Sequence, residues 1–175
     1  MTGPPGVGKT TLLRRLYEHC AERGVMVSGI LTDEARSGNE RTGFKIRSLM
    51  SGREGWLASK VAGPGPKIGS YTVNISELES IGATSLQNAA RGDASLVLVD
   101  EIGPMEMTSP FFRRALSEVL AGRKTTVASV KYGSHYDEVE HATKMEGTRV
   151  VLMSRGNRDS LLSELTKLID EAILR

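Results

Sequence analysis

The segment Gly3 to Thr10 restricts the fold of this chain more than any other part of the sequence. Its residues match the pattern G-x-x-x-x-G-K-[ST] at every defined position and are Gly3, Pro4, Pro5, Gly6, Val7, Gly8, Lys9 and Thr10. Glycines at these positions let consecutive backbone N–H groups point at phosphate oxygens, and a helix that follows adds positive potential. Lys9 is then suited to bind the β- and γ-phosphates, and the hydroxyl of Thr10 is suited to bind Mg²⁺. The motif predicts a phosphate-binding loop that leads into a helix.

Hydrophobic periodicity predicts several helices and strands after this loop. Apolar residues recur at helical spacing over residues 10–23, 77–91, 111–121 and 159–174, and more weakly over 137–145. Gly24 ends the first of these helices, and Ser76 with Glu79 has the spacing of a capping box for the second. Short runs rich in β-branched residues predict strands over residues 25–31, 95–99, 125–130 and 149–153.

The order of these elements predicts an α/β fold. The run from Leu96 to Val99 is apolar at every position, which is typical of a parallel strand covered on both faces. Residues 43–75 break the alternation of strands and helices with three short strands, over 43–49, 54–61 and 70–75. We therefore expect one domain over residues 1–175, with a mostly parallel sheet flanked by helices and an inserted antiparallel meander at 43–75.

Composition excludes several classes of protein. The formal net charge is +2 and no block of five like charges occurs, so an extended nucleic-acid-binding surface is not indicated. The single cysteine, Cys20, forms no internal disulfide, which favours a reducing compartment. The longest apolar run is far shorter than the ~20 residues that span a bilayer. We expect a soluble cytoplasmic monomer without a membrane or nucleic-acid partner.

An acidic pair follows the buried strand at 95–99. Asp100 and Glu101 stand where a Walker B carboxylate is expected, at the carboxyl end of a strand. A carboxylate there holds Mg²⁺, and the neighbouring glutamate orients or deprotonates an attacking water. We expect Asp100 to bind Mg²⁺ and Glu101 to orient or deprotonate the attacking water.

Together these residues resemble the THEP-type nucleoside-triphosphatases. Five parts of the sequence resemble that family, namely Gly3–Leu12, Val99–Met107, Thr32–Arg36 with Arg41–Phe44, Gly69–Asn74 and Asn157–Asp159. The resemblance implies a RecA-like fold and slow, Mg²⁺-dependent hydrolysis of several nucleoside triphosphates to diphosphate and phosphate. It also implies that Gly3 to Thr10 bind phosphate, and we extend that set to Thr11. Asp100 and Glu101 become the metal-binding and water-activating residues.

The chain departs from the family pattern at two places. Only Met1 and Thr2 precede Gly3, where the family has an apolar strand. Because that strand is central, we expect residues before Met1, another segment or a neighbouring chain to complete the sheet. After Ser129 the family tends to have Thr-hydrophobic-Pro, whereas this chain continues with Val130-Lys131-Tyr132-Gly133, so a polar sensor role falls to Ser129.

Two further pairs are candidates for the nucleotide site. Arg36 and Arg41 either neutralise charge in the transition state or are solvated arginines on a loop. Asn157 and Arg158 follow the strand expected at 149–153, where an amide can bind a base and a guanidinium can stack on it. Asn157 or Asp159 can equally be a helix cap.

Two other functions fit the same motifs. The chain could be a P-loop phosphotransferase acting on nucleosides, nucleotides or nucleic acids, with an acceptor pocket lined by Asp33, Glu34 and Arg36. It could also be a nucleotide-dependent switch, in which slow hydrolysis serves as a timer. Phosphate release without a second substrate distinguishes the hydrolase from both.

Overall fold

A computed structural model describes residues 1–173 of the chain. The strands are β1 (Thr2–Gly3), β2 (Val27–Ser37), β3 (Glu40–Ser48), β4 (Glu54–Ser59), β5 (Lys67–Ile68), β6 (Tyr71–Val73), β7 (Leu96–Ile102) and β8 (Thr125–Lys131). The helices are α1 (Lys9–Glu22), α2 (Ile75–Glu77), α3 (Thr84–Arg91), α4 (Pro110–Leu120), α5 (Asp137–Thr143) and α6 (Arg158–Ile173). A π-helical segment, Leu78–Ala83, joins α2 to α3, and a 3₁₀ turn, Glu106–Thr108, precedes α4.

All eight strands form one sheet, in the order β1-β8-β7-β2-β3-β4-β6-β5. The neighbours β1 and β8, β8 and β7, and β7 and β2 are parallel, whereas all later pairs are antiparallel. The α/β fold with a parallel core is therefore confirmed. The strands predicted between residues 43 and 75 extend that same sheet, and β2 enters this antiparallel part through its long hairpin with β3.

Two apolar clusters cover the opposite faces of the sheet. The side chains of Leu96 and Leu98 pack with α1 and α6, whereas those of Val97 and Val99 pack with α3 and α4. All four side chains are fully buried, as expected for a strand covered on both faces. The edge at which β7 ends is thereby held between two helical layers.

The predicted helices are present, with small shifts at their ends. The segment predicted as one helix over 77–91 begins two residues earlier and contains the π-helical turn around Gly82. The cap assigned to Ser76 is wrong, because the Asn74 side chain accepts the backbone N–H of Glu77 instead. The carboxylate of Glu79 accepts a hydrogen bond from the Ser109 hydroxyl, at 2.7 Å. The predicted end of the last helix at residue 174 lies outside the described residues.

The strand predicted over 149–153 is wrong. Of that segment, Leu152 alone forms a β-bridge, with Thr2 of β1. The backbone N–H of Thr2 donates to the carbonyl of Val151, and that of Met153 donates to the carbonyl of Thr2. Because β1 spans two residues, it offers this segment too few partners for a longer ladder.

The strand expected before the glycine-rich loop is present as β1, which spans two residues. Thr2 pairs with Val130 and Gly3 with Lys131, both in parallel register. These contacts fix where the loop begins relative to β8. Among the residues that the structure describes, no helix is long and apolar enough to cross a membrane.

Candidate functional site

The glycine-rich loop, Gly3 to Thr10, turns tightly between β1 and α1. Gly6 and Gly8 have φ angles of 72° and 104°, a region that side chains other than glycine rarely adopt. Gly8 is the N-cap of α1, so the amino end of the helix opens directly onto the loop. Val7 is buried in the apolar cluster on the α1 face and anchors the loop to the core, whereas Pro4 and Pro5 are exposed.

Lys9 is held within this loop by two contacts. Its Nζ donates to the carbonyl oxygen of Gly3, at 3.0 Å. The same nitrogen forms a salt bridge with Oε1 of Glu101, at 3.2 Å. The structure therefore brings together the loop and the acidic pair near the carboxyl end of β7. Only 10% of the Lys9 side chain is exposed, against 30% for Glu101, so the pair sits at the solvent boundary of the site.

Asp100 lies beneath this ion pair and is fully buried. Its Oδ1 accepts a hydrogen bond from the hydroxyl of Ser129 on β8, and its Oδ2 has no partner. Burial raises the pKa of Asp100 to about 6, which the hydroxyls of Ser129 and Thr10 partly offset by favouring the charged form. A buried carboxylate with a free oxygen beside a threonine hydroxyl has the donor set that Mg²⁺ prefers.

Glu106 is a third acidic residue at this edge, and the sequence pattern alone did not assign it to the site. It lies in the 3₁₀ turn after β7 and is 5% exposed. Burial raises its pKa to about 8, and repulsion from Glu101 and Asp100 adds to the effect. A Cβ on Gly103 would lie 3.0 Å from Oε2 of Glu106 and 3.7 Å from Oε2 of Glu101. A glutamate between two methionines was the only signal of this position in the sequence.

Arg158 packs against the loop from the start of α6. A Cβ on Gly8 would lie 3.1 Å from Cδ and 3.8 Å from Nη1 of Arg158. The side chain of Asn157 instead closes the preceding turn, because its Oδ1 accepts the N–H of Ser154 and its Nδ2 donates to the carbonyl of Leu152. These contacts run to residues before α6 and not to the first N–H groups of that helix, so the helix cap expected of Asn157 stays a prediction, as does base recognition by either residue.

Arg36 and Arg41 lie on the β2–β3 hairpin, where both form salt bridges with Glu34. The nearby Asp33 pairs with Arg14 of α1. The structure does not join Arg36 or Arg41 to the glycine-rich loop, and their role in stabilising charge stays a prediction. The residues proposed as an acceptor pocket are engaged in these ion pairs.

Comparison with known proteins identifies the family. A family model described as NTPase matches residues 1–166. The nucleoside-triphosphatase THEP1 of Thermofilum pendens is 38% identical over 176 residues, which cover 100% of this chain and 96% of the relative. The protein belongs to the THEP1 nucleoside-triphosphatase family. THEP1 of Methanosarcina acetivorans is 42% identical over 167 residues, covering 95% of this chain and 93% of that protein.

Solved structures agree with this assignment. The crystal structure of THEP1 from Aquifex aeolicus superposes with a TM-score of 0.81 at 28% identity, covering 97% of this chain and 96% of that one. The solution structure of a human cancer-related nucleoside triphosphatase gives 0.80 at 31% identity, with coverages of 98% and 96%. The predicted family is confirmed, and the chain is a hydrolase that acts on nucleoside triphosphates.

Proposed function

We propose that the protein hydrolyses several nucleoside triphosphates to diphosphate and inorganic phosphate in a Mg²⁺-dependent reaction. The site is the edge where the glycine-rich loop meets the end of β7. The observation that carries this proposal is the ion pair between Lys9 and Glu101, at 3.2 Å. It joins a phosphate-binding side chain to a carboxylate that reaches solvent.

The phosphates bind the ammonium of Lys9 and backbone N–H groups of the segment Gly3 to Thr11, apart from Pro4 and Pro5, which have no N–H. Two left-handed glycines and the amino end of α1 support this role, because they turn several N–H groups toward one point. In the structure Lys9 is neutralised by Glu101. A bound triphosphate competes for that ammonium, which leaves the carboxylate of Glu101 available to a water molecule.

Glu101 serves as the general base in the hydrolysis. The oxygen of water attacks the γ-phosphorus, and the bond from that phosphorus to the β–γ bridging oxygen breaks. The water proton passes to Glu101, and the bridging oxygen leaves with the nucleoside diphosphate. The partial exposure of Glu101 supports this role, since the attacking water must reach it.

Thr10 and Asp100 are the residues that would hold Mg²⁺. The fit rests on the unpartnered Oδ2 of Asp100 and on the hydroxyls of Thr10 and Ser129 beside that carboxylate. When bound, the ion neutralises charge on the β- and γ-phosphates. Ser129 positions Asp100 through its hydrogen bond to Oδ1.

The reaction tolerates different bases. The loop amides, Lys9 and Asp100 all face the phosphate end of a nucleotide. Arg158 lies against Gly8, where its planar guanidinium is suited to stack on any base, and the Asn157 amide is used within its own turn. A site without a base-specific hydrogen bond does not reach the ~10⁴-fold discrimination that such bonds provide.

Phosphate release from ATP, GTP, CTP and UTP, measured with and without Mg²⁺ and with no second substrate, tests the proposal. We expect kcat/KM values within about 100-fold of one another and activity that EDTA abolishes. Release that requires an added nucleoside, nucleotide or RNA contradicts it and favours a phosphotransferase. Discrimination above ~10⁴ between ATP and GTP contradicts the tolerance for different bases.

We further propose a monomer in the cytoplasm. The lone cysteine, Cys20, is buried and is the only one in the sequence, which supports a reducing compartment. Light scattering on the purified protein at micromolar concentration, with and without ATP, tests the monomer. A dimer mass in either state contradicts it.

A further inference from the structure

Lys131 is the last residue of β8 and lies at the same edge of the sheet as the glycine-rich loop. The parallel register places Lys131 opposite Gly3, the first residue of that loop. On the other side of β8, Val130 pairs with Ile102, the residue after Glu101. The end of β8 is therefore flanked by the two segments that form the candidate active site.

Distances around Gly103 show how near Lys131 is to the reacting groups. The Cβ of Lys131 lies 4.0 Å from the point where a Cβ on Gly103 would be, and Oε2 of Glu101 lies 3.7 Å from that point. Glycine places no side chain between the two residues. The flexible four-carbon stem of a lysine is long enough to bring its ammonium beside that carboxylate.

The ammonium of Lys131 is free to bind a ligand. The residue is exposed, and no carboxylate within residues 1–173 forms a salt bridge with it. Ser129 points to the same face of β8, because residues two apart on a strand share a face, but it is fully buried and donates to Asp100. Lys131 is thus the side chain of this strand that reaches the solvent-exposed edge.

We propose that Lys131 binds the γ-phosphate of the substrate as a second cation beside Lys9. This inference rests on the proposed function, because it places the γ-phosphate between the loop and Glu101. Lys131 approaches from the β8 side, whereas Lys9 approaches from α1. The added charge stabilises the γ-phosphoryl oxygens as the bond to the bridging oxygen breaks.

A γ-phosphate contact makes Lys131 a determinant of triphosphate over diphosphate binding. A diphosphate lacks the group that Lys131 touches, so removing the charge weakens binding of a triphosphate and leaves that of a diphosphate nearly unchanged. A hydrogen bond to a charged group corresponds to roughly a 10- to 100-fold change in affinity. A lysine that only solvates the end of a strand affects neither ligand.

The test compares Lys131→Met, Lys131→Arg and a matched control, Lys167→Met. Lys167 is 79% exposed on α6, so its replacement removes the same charge away from the site. Affinities for a non-hydrolysable ATP analogue and for ADP are measured by titration calorimetry, and kcat and KM are measured with ATP. Thermal denaturation shows that each variant is folded.

We expect Lys131→Met to lose roughly 10- to 100-fold in analogue affinity or in kcat/KM, and less than about threefold in ADP affinity. Lys131→Arg retains most of both values because the charge remains. An analogue affinity and a kcat/KM of Lys131→Met within about twofold of those of Lys167→Met overturn the proposal. An equal loss of affinity for the analogue and for ADP also overturns it. Lys9→Ala in the same assay separates failure of the Lys131 contact from failure of the proposed function. If Lys9→Ala also leaves the analogue affinity unchanged, the proposed phosphate site is wrong.

Discussion

Replacing Glu106 with glutamine removes a buried titratable group while keeping its shape. Glu106 is 5% exposed, and its Oε2 lies 3.0 Å from the point where a Cβ on Gly103 would be. Burial raises its pKa from 4.5 to about 8, with further repulsion from Glu101 and Asp100. The folded protein thus favours the protonated acid, which a glutamine side chain imitates at every pH.

The sign of the effect on stability follows from the raised pKa. The unfolded chain releases this proton near pH 4.5, whereas the folded chain retains it up to about pH 8. Stability from the protonated carboxyl is therefore complete below pH 4.5 and is lost as the pH rises through 8. One pKa unit corresponds to about 1.4 kcal/mol, so the full loss is on the order of 4 to 5 kcal/mol.

Urea denaturation between pH 5 and pH 9 measures this loss. We expect the free energy of unfolding of Glu106→Gln to exceed that of the wild type by a margin that grows up to about pH 8 and is then constant. Glu146→Gln, which makes the same change at an exposed glutamate, is the control. A difference between Glu106→Gln and wild type that does not change with pH refutes the reasoning, because Glu106 would then titrate normally when folded.

Three other substitutions test the packing and the binding edge. Gly29→Ala lowers the free energy of unfolding, measured by urea denaturation, by more than about 2 kcal/mol. Gly29 has a φ of 110°, and a Cβ there would collide with the carbonyl of Leu98. A loss below about 1 kcal/mol contradicts this close approach. Lys9→Ala weakens ATP binding far more than adenosine binding in calorimetry, and equal losses contradict its contact with the phosphates. Arg158→Ala weakens the binding of ATP, GTP and CTP to a similar extent, because a guanidinium beside Gly8 stacks on any base. A loss of affinity confined to one nucleotide contradicts stacking.

Local signals in the sequence predicted the core of the fold and the centre of the candidate site. The spacing of Gly3 to Thr10 placed the loop before α1, and the uniformly apolar run from Leu96 to Val99 identified a strand buried on both faces. Glu101, which directly follows Asp100 after that run, forms a salt bridge with Lys9. These features depend on residues close together in sequence, so a pattern is sufficient to find them.

Features that depend on distant partners were missed or misplaced. The polar residues between Thr32 and Ser37 gave no strand signal, yet β2 extends through them because β3 pairs with them. The β-branched run at 149–153 makes one bridge because its neighbour β1 is short. The burial of Glu106 and the packing of Arg158 on Gly8 arise where separate segments meet, which periodicity cannot indicate.

The most direct test of the account is the Glu101→Gln variant, assayed for ATP turnover and for binding of a non-hydrolysable ATP analogue. The amide keeps the size of the side chain and still binds water, but it cannot accept a proton. We predict analogue affinity equal to or above that of the wild type, since Lys9 loses a competing partner, and a fall in kcat of ~10²–10⁴-fold. Turnover at the wild-type rate would show that Glu101 is not the base and would contradict the proposed mechanism.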